Sequence, residues 1–412
     1  MKVFLVNQYA VAPDMPGGTR HFDLSRLSKT YGVEMEIIAS DLNLASRTYL
    51  RRKVKAKKPV VEVIEGVKFH WLYAECYKTN NWRRMFSMWS FSQEVAKYLD
   101  TLEKPDLVIG SSPHLLQAQA ACKWAKGKRI PFFLELRDLW PETMIDMTGK
   151  EGLGAKYLRC IAKDLYRKSD KIIILARGTE KKLVEYGVSP GKNIYIPNGV
   201  APDAFGILSK GEKKSIRRSM HLPEDAFIAV YAGAHGRANG LHVVLETARM
   251  CRDEKRILFL LIGDGPEKRD LVETAQNQGL TNVVFWDPIK KGEIYKVLAA
   301  ADVGLLTLID AEVFRYAISP NKLFDYWGAG LPVLASVPGE IGDIIREAQG
   351  GFVVNPEDAQ GIAEHLKNAL NNIEQWRALG NNGNKYVMEK FNRMKLAKTL
   401  ADEIKKTVGN KK

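Results

Sequence analysis

At 412 residues the chain is too long for one ordinary hydrophobic core, so we expect two domains of roughly 200 residues each. Its four cysteines are scattered without metal or disulfide spacing, and no apolar run reaches the roughly 18 residues that span a bilayer. Met1 to Val6 is also too short for a signal peptide. These features exclude a disulfide-stapled fold and lead us to expect a soluble or peripheral protein in a reducing cytoplasm.

The positive charge is concentrated in the first half of the chain. Residues 1–200 contain 33 Lys and Arg against 21 Asp and Glu, whereas residues 201–412 contain 29 against 27. This asymmetry predicts an anionic partner for the first half: nucleic acid, anionic lipid or a phosphorylated substrate.

The first predicted elements are the beginning of an open parallel sheet. Lys2 to Asn7 has the pattern of a strand, Thr19 to Thr30 that of a helix and Glu34 to Ser40 that of a second strand. The loop after the first strand contains Gly17 and Gly18, which would let the backbone approach a ligand because no Cβ intervenes. A plain turn is the alternative.

A basic segment and an aromatic segment follow. Residues 47–58 contain seven Lys and Arg and no acidic residue, and residues 81–98 combine Trp, Phe and Met with Arg. Such compositions are typical of the headgroup boundary of a membrane. The residues predicted to contact an anionic membrane are Arg51, Arg52, Lys53, Trp82, Arg83, Arg84, Phe86 and Trp89. The alternative is a solvated loop followed by a helix whose aromatic side chains belong to the core.

The rest of the first half alternates predicted strands and helices. Strands are predicted at 106–111, 131–136 and 171–176, and helices at 112–126, 153–168 and 178–185. Residues 193–196 lead into a predicted turn at 197–200. Arg137 and Asp138 directly follow a strand, where open α/β sheets place their ligands. Residues 207–224 are polar and charged and are predicted to be a linker.

The same plan restarts in the second half. Strands are predicted at 226–231, 256–262, 283–286, 303–308, 331–335 and 352–354, and helices at 241–251, 266–278, 293–300, 362–379 and 382–405. We therefore predict an α/β protein with two Rossmann-like, doubly wound parallel-sheet domains, residues 1–206 and 207–390, that face a central cleft. A C-terminal helix and basic tail, residues 391–412, would follow, with packing against the first domain as one possibility.

The stretch from Ser319 to Ala335 predicts a short helix that feeds a buried strand. Ser319 suits the N-cap and Pro320 the first helical position. A helix start attracts anions, and Lys322 would add a solvent-facing positive charge there. Asp325 lies one turn further on the same face, where it could accept hydrogen bonds from sugar hydroxyls. The alternative is a capped helix with an exposed Lys–Asp pair.

Taken together, the motifs resemble those of retaining glycosyltransferases of the GT-B fold, family 4, over nearly the whole chain. The matching segments are 17–21, 137–142, 196–200, 236–240, 261–266 and 319–333. The segments at 138–142 and 319–324 look most like the branch that builds bacterial surface polysaccharide, including amino-sugar transferases of O-antigen and capsule pathways.

The resemblance implies roles for the matching residues. Lys322 and Arg237 would stabilise the leaving diphosphate, and Asp138 would position a sugar; these three are the predicted catalytic residues. Donor-binding residues are predicted to be Gly17, Gly18, Gly236, Ile289, Ile318 and Asp325, the last at the ribose hydroxyls. The residues predicted to position the acceptor or the sugar are His21, Arg137 and Glu312. Neither a metal nor a cofactor is expected.

The chain departs from the family pattern at several positions. Eight residues before Asp325, where the family has a second carboxylate, stands Ala317. After the first strand of the second domain, Ala234 and Asn239 stand where the family has Arg and Lys. Arg137 takes a position at which the family often has a histidine.

The resemblance implies transfer of a sugar from a nucleotide diphosphate, most simply a UDP-sugar, to a polyprenyl-diphosphate-linked saccharide, with retention. The enzyme would lie at the inner face of the cell membrane without binding nucleic acid. Two alternatives remain open from the sequence: a UDP-sugar epimerase of similar two-domain build, and a nucleic-acid-binding protein that uses the basic half.

Overall fold

The structure is a computed structural model that describes residues 1–44, 46–52, 57–77, 82–201 and 207–410, apart from the side chains of Lys210 and Lys291. The chain divides into two compact units. Unit 1 comprises Met1–Pro197, Tyr316–Ile318 and the chain from Arg393, and unit 2 comprises Asn198–Arg315 and Ser319–Asn392. The chain therefore passes between the units four times.

Unit 1 is built on an eight-stranded sheet. Its strands are β1 (Lys2–Val6), β2 (Glu34–Ser40), β3 (Val60–Ile64), β4 (Val67–Leu72), β5 (Leu107–Ser111), β6 (Phe132–Leu136), β7 (Lys171–Ile174) and β8 (Asn193–Tyr195). Their order is β3-β4-β2-β1-β5-β6-β7-β8. Neighbouring strands are parallel except in the β3–β4 hairpin. The strand order reverses between β1 and β5, which is where such sheets form a crevice at the carboxyl ends of the strands.

Helices cover both faces of this sheet. Those that precede residue 198 are α1 (Arg20–Ser28), α2 (Trp82–Leu99), α3 (Leu115–Gly127), α4 (Glu142–Thr148), α5 (Leu153–Lys168) and α6 (Gly178–Glu185). Helices α2, α3 and α5 bury side chains such as Phe91, Leu115 and Leu165 in one core, whereas α1 buries Leu24 and Leu27 in a second core on other strand residues. Coverage of both faces explains why strands such as β6 are almost continuously apolar.

Unit 2 contains a six-stranded parallel sheet. Its strands are β9 (Phe227–Ala232), β10 (Ile257–Ile262), β11 (Val283–Trp286), β12 (Val303–Thr307), β13 (Val333–Ser336) and β14 (Gly351–Val354), in the order β11-β10-β9-β12-β13-β14. Its helices are α7 (Lys210–Ser219), α8 (Leu241–Met250), α9 (Lys268–Asn277), α10 (Lys291–Ala300), α11 (Asn321–Gly328), α12 (Glu340–Ala348), α13 (Ala359–Ala369) and α14 (Ile373–Lys390). The reversal of strand order falls between β9 and β12, so ligands are expected at the carboxyl ends of these two strands.

The last helix, α15 (Arg393–Gly409), belongs to unit 1. Its buried side chains, which include Leu396, Leu400 and Ile404, join the core that contains Leu24 and Leu27 of α1. The guanidinium of Arg393 forms a buried ion pair with Asp23, also on α1. The C-terminal helix thus completes the hydrophobic core at the beginning of the chain.

The prediction of two Rossmann-like parallel-sheet domains is confirmed, but three helices, α4, α7 and α12, and three strands, β3, β4 and β8, were missed. The segment predicted as a linker contains α7, which begins with a capping box formed by Ser209 and Glu212. Helices α4 and α12 and the β3–β4 hairpin were also not predicted. Across the part of the chain that the structure describes, no helix has the length and apolar character needed to cross a membrane.

Candidate active site

The candidate site in unit 2 lies where the strand order reverses. The loop 233–240 follows β9, and the segment that leads into α11 follows β12, the strand paired with β9. In parallel sheets the carboxyl ends of neighbouring strands meet at the same edge, so these two loops come together. Lys322, in the first turn of α11, reaches the loop after β9.

A cycle of hydrogen bonds fixes the position of the Lys322 ammonium. Its Nζ donates to the Tyr231 hydroxyl at 3.0 Å and to Asn239 Oδ1 at 2.7 Å. Tyr231 and Asn239 in turn donate to the carbonyl oxygen of Ala234, at 2.8 and 3.0 Å. The ammonium also lies 4.2 Å from the centroid of the Tyr231 ring. Asn239, which replaces the lysine that the family resemblance led us to expect, therefore accepts a hydrogen bond from Lys322 instead of adding a second positive charge.

The Lys322 charge has no compensating carboxylate. Burial lowers the pKa of Lys322 to about 7. Within the described residues its hydrogen-bond acceptors are both uncharged, and it forms no ion pair. The expectation of a solvent-facing lysine was wrong, because the side chain is half-buried against Tyr231. A partly desolvated cation without a counter-ion is the electrostatic condition for binding an incoming anion.

The start of α11 differs from its prediction. The N-cap is Pro320 and not Ser319, and no side chain in the described part of the chain caps the first turn. Ser319 is used elsewhere, because its Oγ accepts the backbone N–H of Asn198 at 3.2 Å and its carbonyl oxygen accepts from the Asn198 side chain. The first backbone N–H groups of the helix are therefore not satisfied by a capping side chain, and they add positive potential next to Lys322.

Tyr326 holds α11 against the sheet. Its hydroxyl accepts the N–H of Ala232, at the end of β9, at 3.0 Å and donates to the carbonyl of Leu305, in β12, at 3.1 Å. The ring lies so close to β12 that a Cβ at Gly304 would be 2.4 Å from it. Because Tyr326 lies one turn after Lys322, this anchor determines where the ammonium is placed.

Glycines in the segment 263–266 allow two loops of unit 2 to touch. Gly263 has φ +146, and a Cβ there would lie 1.9 Å from the carbonyl oxygen of Gly233. A Cβ at Gly265 would lie 2.3 Å from the carbonyl oxygen of His235. This motif therefore packs the loop after β10 against the loop after β9.

His235 is a polar residue of this site that sequence reasoning missed. Its side chain is fully buried, neither ring nitrogen has a hydrogen-bond partner among the described residues, and burial lowers its pKa to about 4. Tyr231 was missed as well. Tyr231 could have been identified as a site residue, because it is a polar residue at the end of an apolar strand. His235 lies in a glycine-rich loop, where the sequence gives no comparable indication.

The other site residues predicted for the second domain differ in how far their side chains are exposed. Arg237 is exposed in a 3-10 turn, Arg237–Asn239, and its side chain forms no hydrogen bond or ion pair with described residues. Glu312 is exposed in a second 3-10 turn. The half-buried ones are Gly236, Ile289 and Asp325. Ile318 is half-buried too, but it is part of unit 1. Their predicted roles stay predictions.

Four predicted site residues lie on loops of unit 1. Gly17 and Gly18 are exposed, and Gly17 has φ +133, a backbone conformation that favours glycine. Arg137 is half-buried and Asp138 exposed, directly after β6. Partial desolvation by the surrounding protein raises the pKa of Asp138, whereas Arg137 and Arg84 lower it.

His21 was predicted to position a sugar, and the structure contradicts this. Its ring is 1% exposed and lies 2.7 Å from Glu135 and 3.2 Å from Asn7. The same Glu135 accepts a hydrogen bond at 2.9 Å from the buried Arg20, which also donates to the carbonyl of Ile196. His21 is therefore part of a buried polar network and does not face a ligand. Glu135, a lone carboxylate within an apolar strand, was the sequence signal for this network.

The arginines of the basic segment, residues 47–58, were predicted to contact a membrane, but Arg51 and Arg52 form ion pairs within the protein. Arg52 is buried, forms an ion pair with Asp41 at 2.5 Å and donates to the carbonyl of Trp71, so its predicted membrane contact was wrong. Arg51 is half-buried and paired with both Asp14 and Glu62. Lys53 lies outside the described residues.

Helix α2 divides the predicted membrane residues into two groups. Trp82, Phe86 and Trp89 are 69%, 43% and 50% exposed, with Met85 at 50% on the same face. Arg83 is also exposed. Arg84 instead is half-buried and turns towards Tyr9 and His114. The alternative that the aromatic side chains of α2 belong to the core holds for Phe91, which is buried, and in part for Tyr98, which packs against the same core.

Two doubly wound domains, with a cationic site at the strand-order reversal of the second, are the architecture of GT-B glycosyltransferases. Residues 26–199 match the family model of the glycosyl transferase 4-like domain, and residues 226–372 match that of glycosyl transferases group 1. Together the two matches cover well over half of the chain. The protein is therefore a glycosyltransferase and belongs to the group 1, 4-like family, which disfavours the epimerase and nucleic-acid alternatives.

Similar proteins include an Escherichia coli K12 protein, WcaI, whose name assigns it to colanic acid biosynthesis as a glycosyl transferase. It is 26% identical over 274 residues, which are 65% of this chain and 67% of that protein. The chain spans from about half to two thirds of the length of the curated relatives it matches.

Two solved structures share the fold. Sucrose-phosphate synthase from Thermosynechococcus elongatus has a TM-score of 0.78 at 16% identity, covering 99% of each chain. HepE of Anabaena, in complex with UDP-glucose, has a TM-score of 0.71 at 16% identity, covering 100% of each chain. At this identity the likeness concerns the fold alone.

Proposed function

We propose that the protein transfers a sugar from a nucleotide-diphosphate donor, a UDP-sugar, to a polyprenyl-diphosphate-linked saccharide in bacterial surface polysaccharide biosynthesis. The observation that carries the proposal is the uncompensated Lys322 beside an uncapped helix start at the strand-order reversal of unit 2. The UDP-glucose in the complex with HepE supports the choice of donor, and the name of WcaI supports the choice of pathway.

In this proposal the donor diphosphate binds to the first turn of α11. Lys322, Arg237 and the N-terminal amides stabilise the negative charge that develops on the leaving group, so that no metal is needed. Asp325 accepts hydrogen bonds from the ribose, and the loop after β11 that contains Ile289 flanks the base.

The proposed stereochemical course is retention. The leaving phosphate oxygen takes the proton of the acceptor hydroxyl as the new glycosidic bond forms on the same face. No protein base is required at Ala317, where the resemblance led us to expect a carboxylate, and Asp138 and Arg137 position the acceptor.

The decisive experiment measures UDP release from a panel of UDP-sugars by the purified protein. Lys322→Ala should lower the turnover at least about a hundredfold, as expected for loss of a charge that stabilises the transition state. Lys255→Ala, which changes an exposed lysine elsewhere in unit 2, is the matched control and should keep wild-type turnover. Formation of an isomeric UDP-sugar without release of UDP would replace the proposal with an epimerase.

The stereochemical course and the independence from metal each have a separate test. The anomeric proton of the product, followed by NMR, should keep the configuration of the donor sugar if the transfer is retaining. Turnover should also be unchanged in excess EDTA. An inverted anomer contradicts the proposed course, and loss of activity that Mg²⁺ restores contradicts metal independence.

We place the enzyme peripherally on the cytoplasmic face of the cell membrane through α2. The positions 82, 85, 86 and 89 lie on one helical face, and their exposed side chains, beside Arg83, suit the headgroup region of an anionic bilayer. The excess of Lys and Arg in residues 1–200 adds attraction to such a surface.

Liposome flotation tests this placement. Trp82→Glu and Trp89→Glu should reduce flotation with vesicles that contain phosphatidylglycerol, because they place charge at the inserted face. Ile373→Glu, at an exposed apolar residue of unit 2, is the control. Equal flotation of all three variants and the wild type would remove α2 as the contact.

A further inference from the structure

Strand β3 forms one edge of the unit 1 sheet, and this edge is apolar. It is the first strand in the order of that sheet, and within the described residues it pairs only with β4. Half-buried and exposed side chains alternate along β3, and the exposed ones are Val61 and Val63, at 48% and 66%. An uncovered edge strand with apolar side chains is a template for pairing with a further strand. The edge of β3 is therefore a candidate interaction surface.

The hairpin turn determines which backbone groups of β3 face the open edge. Residues 65–66 form a two-residue turn with positive φ at both positions, so Ile64 and Val67 are the hydrogen-bonded pair that closes it. Hydrogen-bonded and non-hydrogen-bonded pairs alternate along an antiparallel ladder. Val61 and Val63 thus belong to non-hydrogen-bonded pairs, and their N–H and C=O groups point away from β4. The residues with exposed side chains are also those whose backbone groups face the edge.

These groups are complementary to the same groups of a second copy of the chain. When two β3 strands run antiparallel about a twofold axis at Glu62, Val61 of one copy lies opposite Val63 of the other. Each such pair exchanges two backbone hydrogen bonds, so every outward-facing N–H and C=O group of both valines gains a partner. The valine side chains also meet on one face of the sheet, where β-branched neighbours pack well. The edge therefore has the self-complementarity that a twofold dimer requires.

The charges that flank β3 favour the antiparallel arrangement. The lysines at 57–58 precede the strand and Glu65 follows it, and all three side chains are exposed. An antiparallel pair places the basic end of each strand next to the acidic end of the other, whereas a parallel pair brings like charges together. Glu62 meets its own symmetry mate at the axis. Its charge is compensated within each copy, because Glu62 Oε1 lies 2.6 Å from Arg51 Nε.

We propose that the protein forms a twofold-symmetric dimer in which the β3 edges of two copies pair antiparallel. The two sheets then become one continuous sheet, with eight strands from each copy. Such a dimer requires neither the proposed donor nor the proposed acceptor. Because each copy contributes one short strand, the interface belongs to the small and weak class, and the dimer should dissociate at micromolar protein concentrations.

Sedimentation equilibrium over a dilution series tests the dimer. Val61→Lys places a charge at the apolar edge and should raise the Kd of the dimer at least about tenfold. The matched control is Val184→Lys, at a valine of α6 that is also 48% exposed, and it should leave the Kd unchanged. Equal values of Kd for both variants and the wild type would overturn the proposal. Wild-type protein that stays monomeric at its highest soluble concentration would overturn it too, and would leave the edge to a strand of another protein.

Cysteine cross-linking tests the register, in protein that carries Cys76→Ser and Cys160→Ser to remove the exposed thiols. Val61→Cys and Val63→Cys proteins are made separately and then mixed and oxidised. The mixture should form a disulfide-linked dimer at least about tenfold faster than either protein alone, because positions 61 and 63 of opposite copies lie about 5.5 Å apart. Equally fast linking of the Val61→Cys protein to itself would indicate parallel pairing and overturn the antiparallel dimer, as would the absence of any cross-link. Neither result bears on the proposed function, which release of UDP decides.

Discussion

Binding of UDP should be coupled to proton uptake by Lys322. The pKa of Lys322 is about 7 in the free protein. A diphosphate beside the ammonium should return the pKa to its ordinary range near 10.4, because an opposite charge favours the protonated form. About half a proton should then be taken up at pH 7, nearly one at pH 8.5 and almost none at pH 5.5.

The same coupling sets the pH dependence of affinity. Below pH 7 the lysine is already charged, so its contribution to binding is constant. Above pH 7 the charged form decreases, and the Kd of UDP should rise about tenfold per pH unit, or about 1.4 kcal/mol per unit. The rise ends only when the pH approaches the pKa of Lys322 in the complex.

Isothermal titration calorimetry in buffers of different ionisation enthalpy measures the proton uptake directly. Lys322→Arg is the matched control, since arginine keeps the charge but does not titrate in this range. The terminal phosphate of UDP titrates near pH 6 in both proteins, so its contribution to the proton uptake cancels when the two are compared. Equal uptake by wild type and Lys322→Arg at pH 8.5, or a wild-type Kd that is flat from pH 7 to 9, would refute the reasoning.

Three further predictions concern the buried network of unit 1 and the loops that hold Lys322 in unit 2. Glu135→Gln removes the negative charge that compensates the buried Arg20 guanidinium and should lower the free energy of unfolding by about 3–5 kcal/mol in urea titrations at pH 7. Because Arg20 and His21 hold the pKa of Glu135 well below its ordinary value, this stabilisation is present above about pH 4.5 and fades as the pH falls further, so the variant and wild type should converge in acid. Gly263→Ala should cost more than about 2 kcal/mol by thermal unfolding, whereas Gly279→Ala, with a similar sign of φ but open space around it, should cost only about 1 kcal/mol; equal losses would contradict the loop contact. Tyr326→Phe should cost about 1–3 kcal/mol and lower kcat, since the N–H of Ala232 loses its acceptor and α11 its anchor; an unchanged kcat would show that this anchor does not place Lys322.

Periodicity was sufficient to predict most strands and helices of both units, because parallel strands with helices on both faces give long apolar runs. The missed helix α7 is highly charged and lacks such a run, although Ser209 and Glu212 form a capping box that can be recognised in sequence. The missed β3–β4 hairpin also had a signal, since Glu65 and Gly66 form its turn with positive φ between a valine-rich segment, 60–64, and a second segment of strand length, 67–72.

The site was harder to predict because its partners are distant in sequence. Lys322 was identified, but the groups that hold it, Tyr231 and Asn239, lie 91 and 83 residues earlier. The same limit explains the error at Arg52, which was read as part of a basic run. A count of charges along the chain does not show that Asp41 neutralises Arg52 in the fold.

Helix α15 has a consequence for the order of events during synthesis. Residues 1–197 of unit 1 precede unit 2 in the chain, yet α1 cannot cover its core completely until α15 has been made, because the two helices share that core. The strands of unit 2 emerge between these two events. Unit 2 can therefore fold while unit 1 still exposes apolar surface on α1, and removal of residues 393–412 should damage the beginning of the protein more than its second half. The nascent chain would need protection at unit 1 until α15 docks.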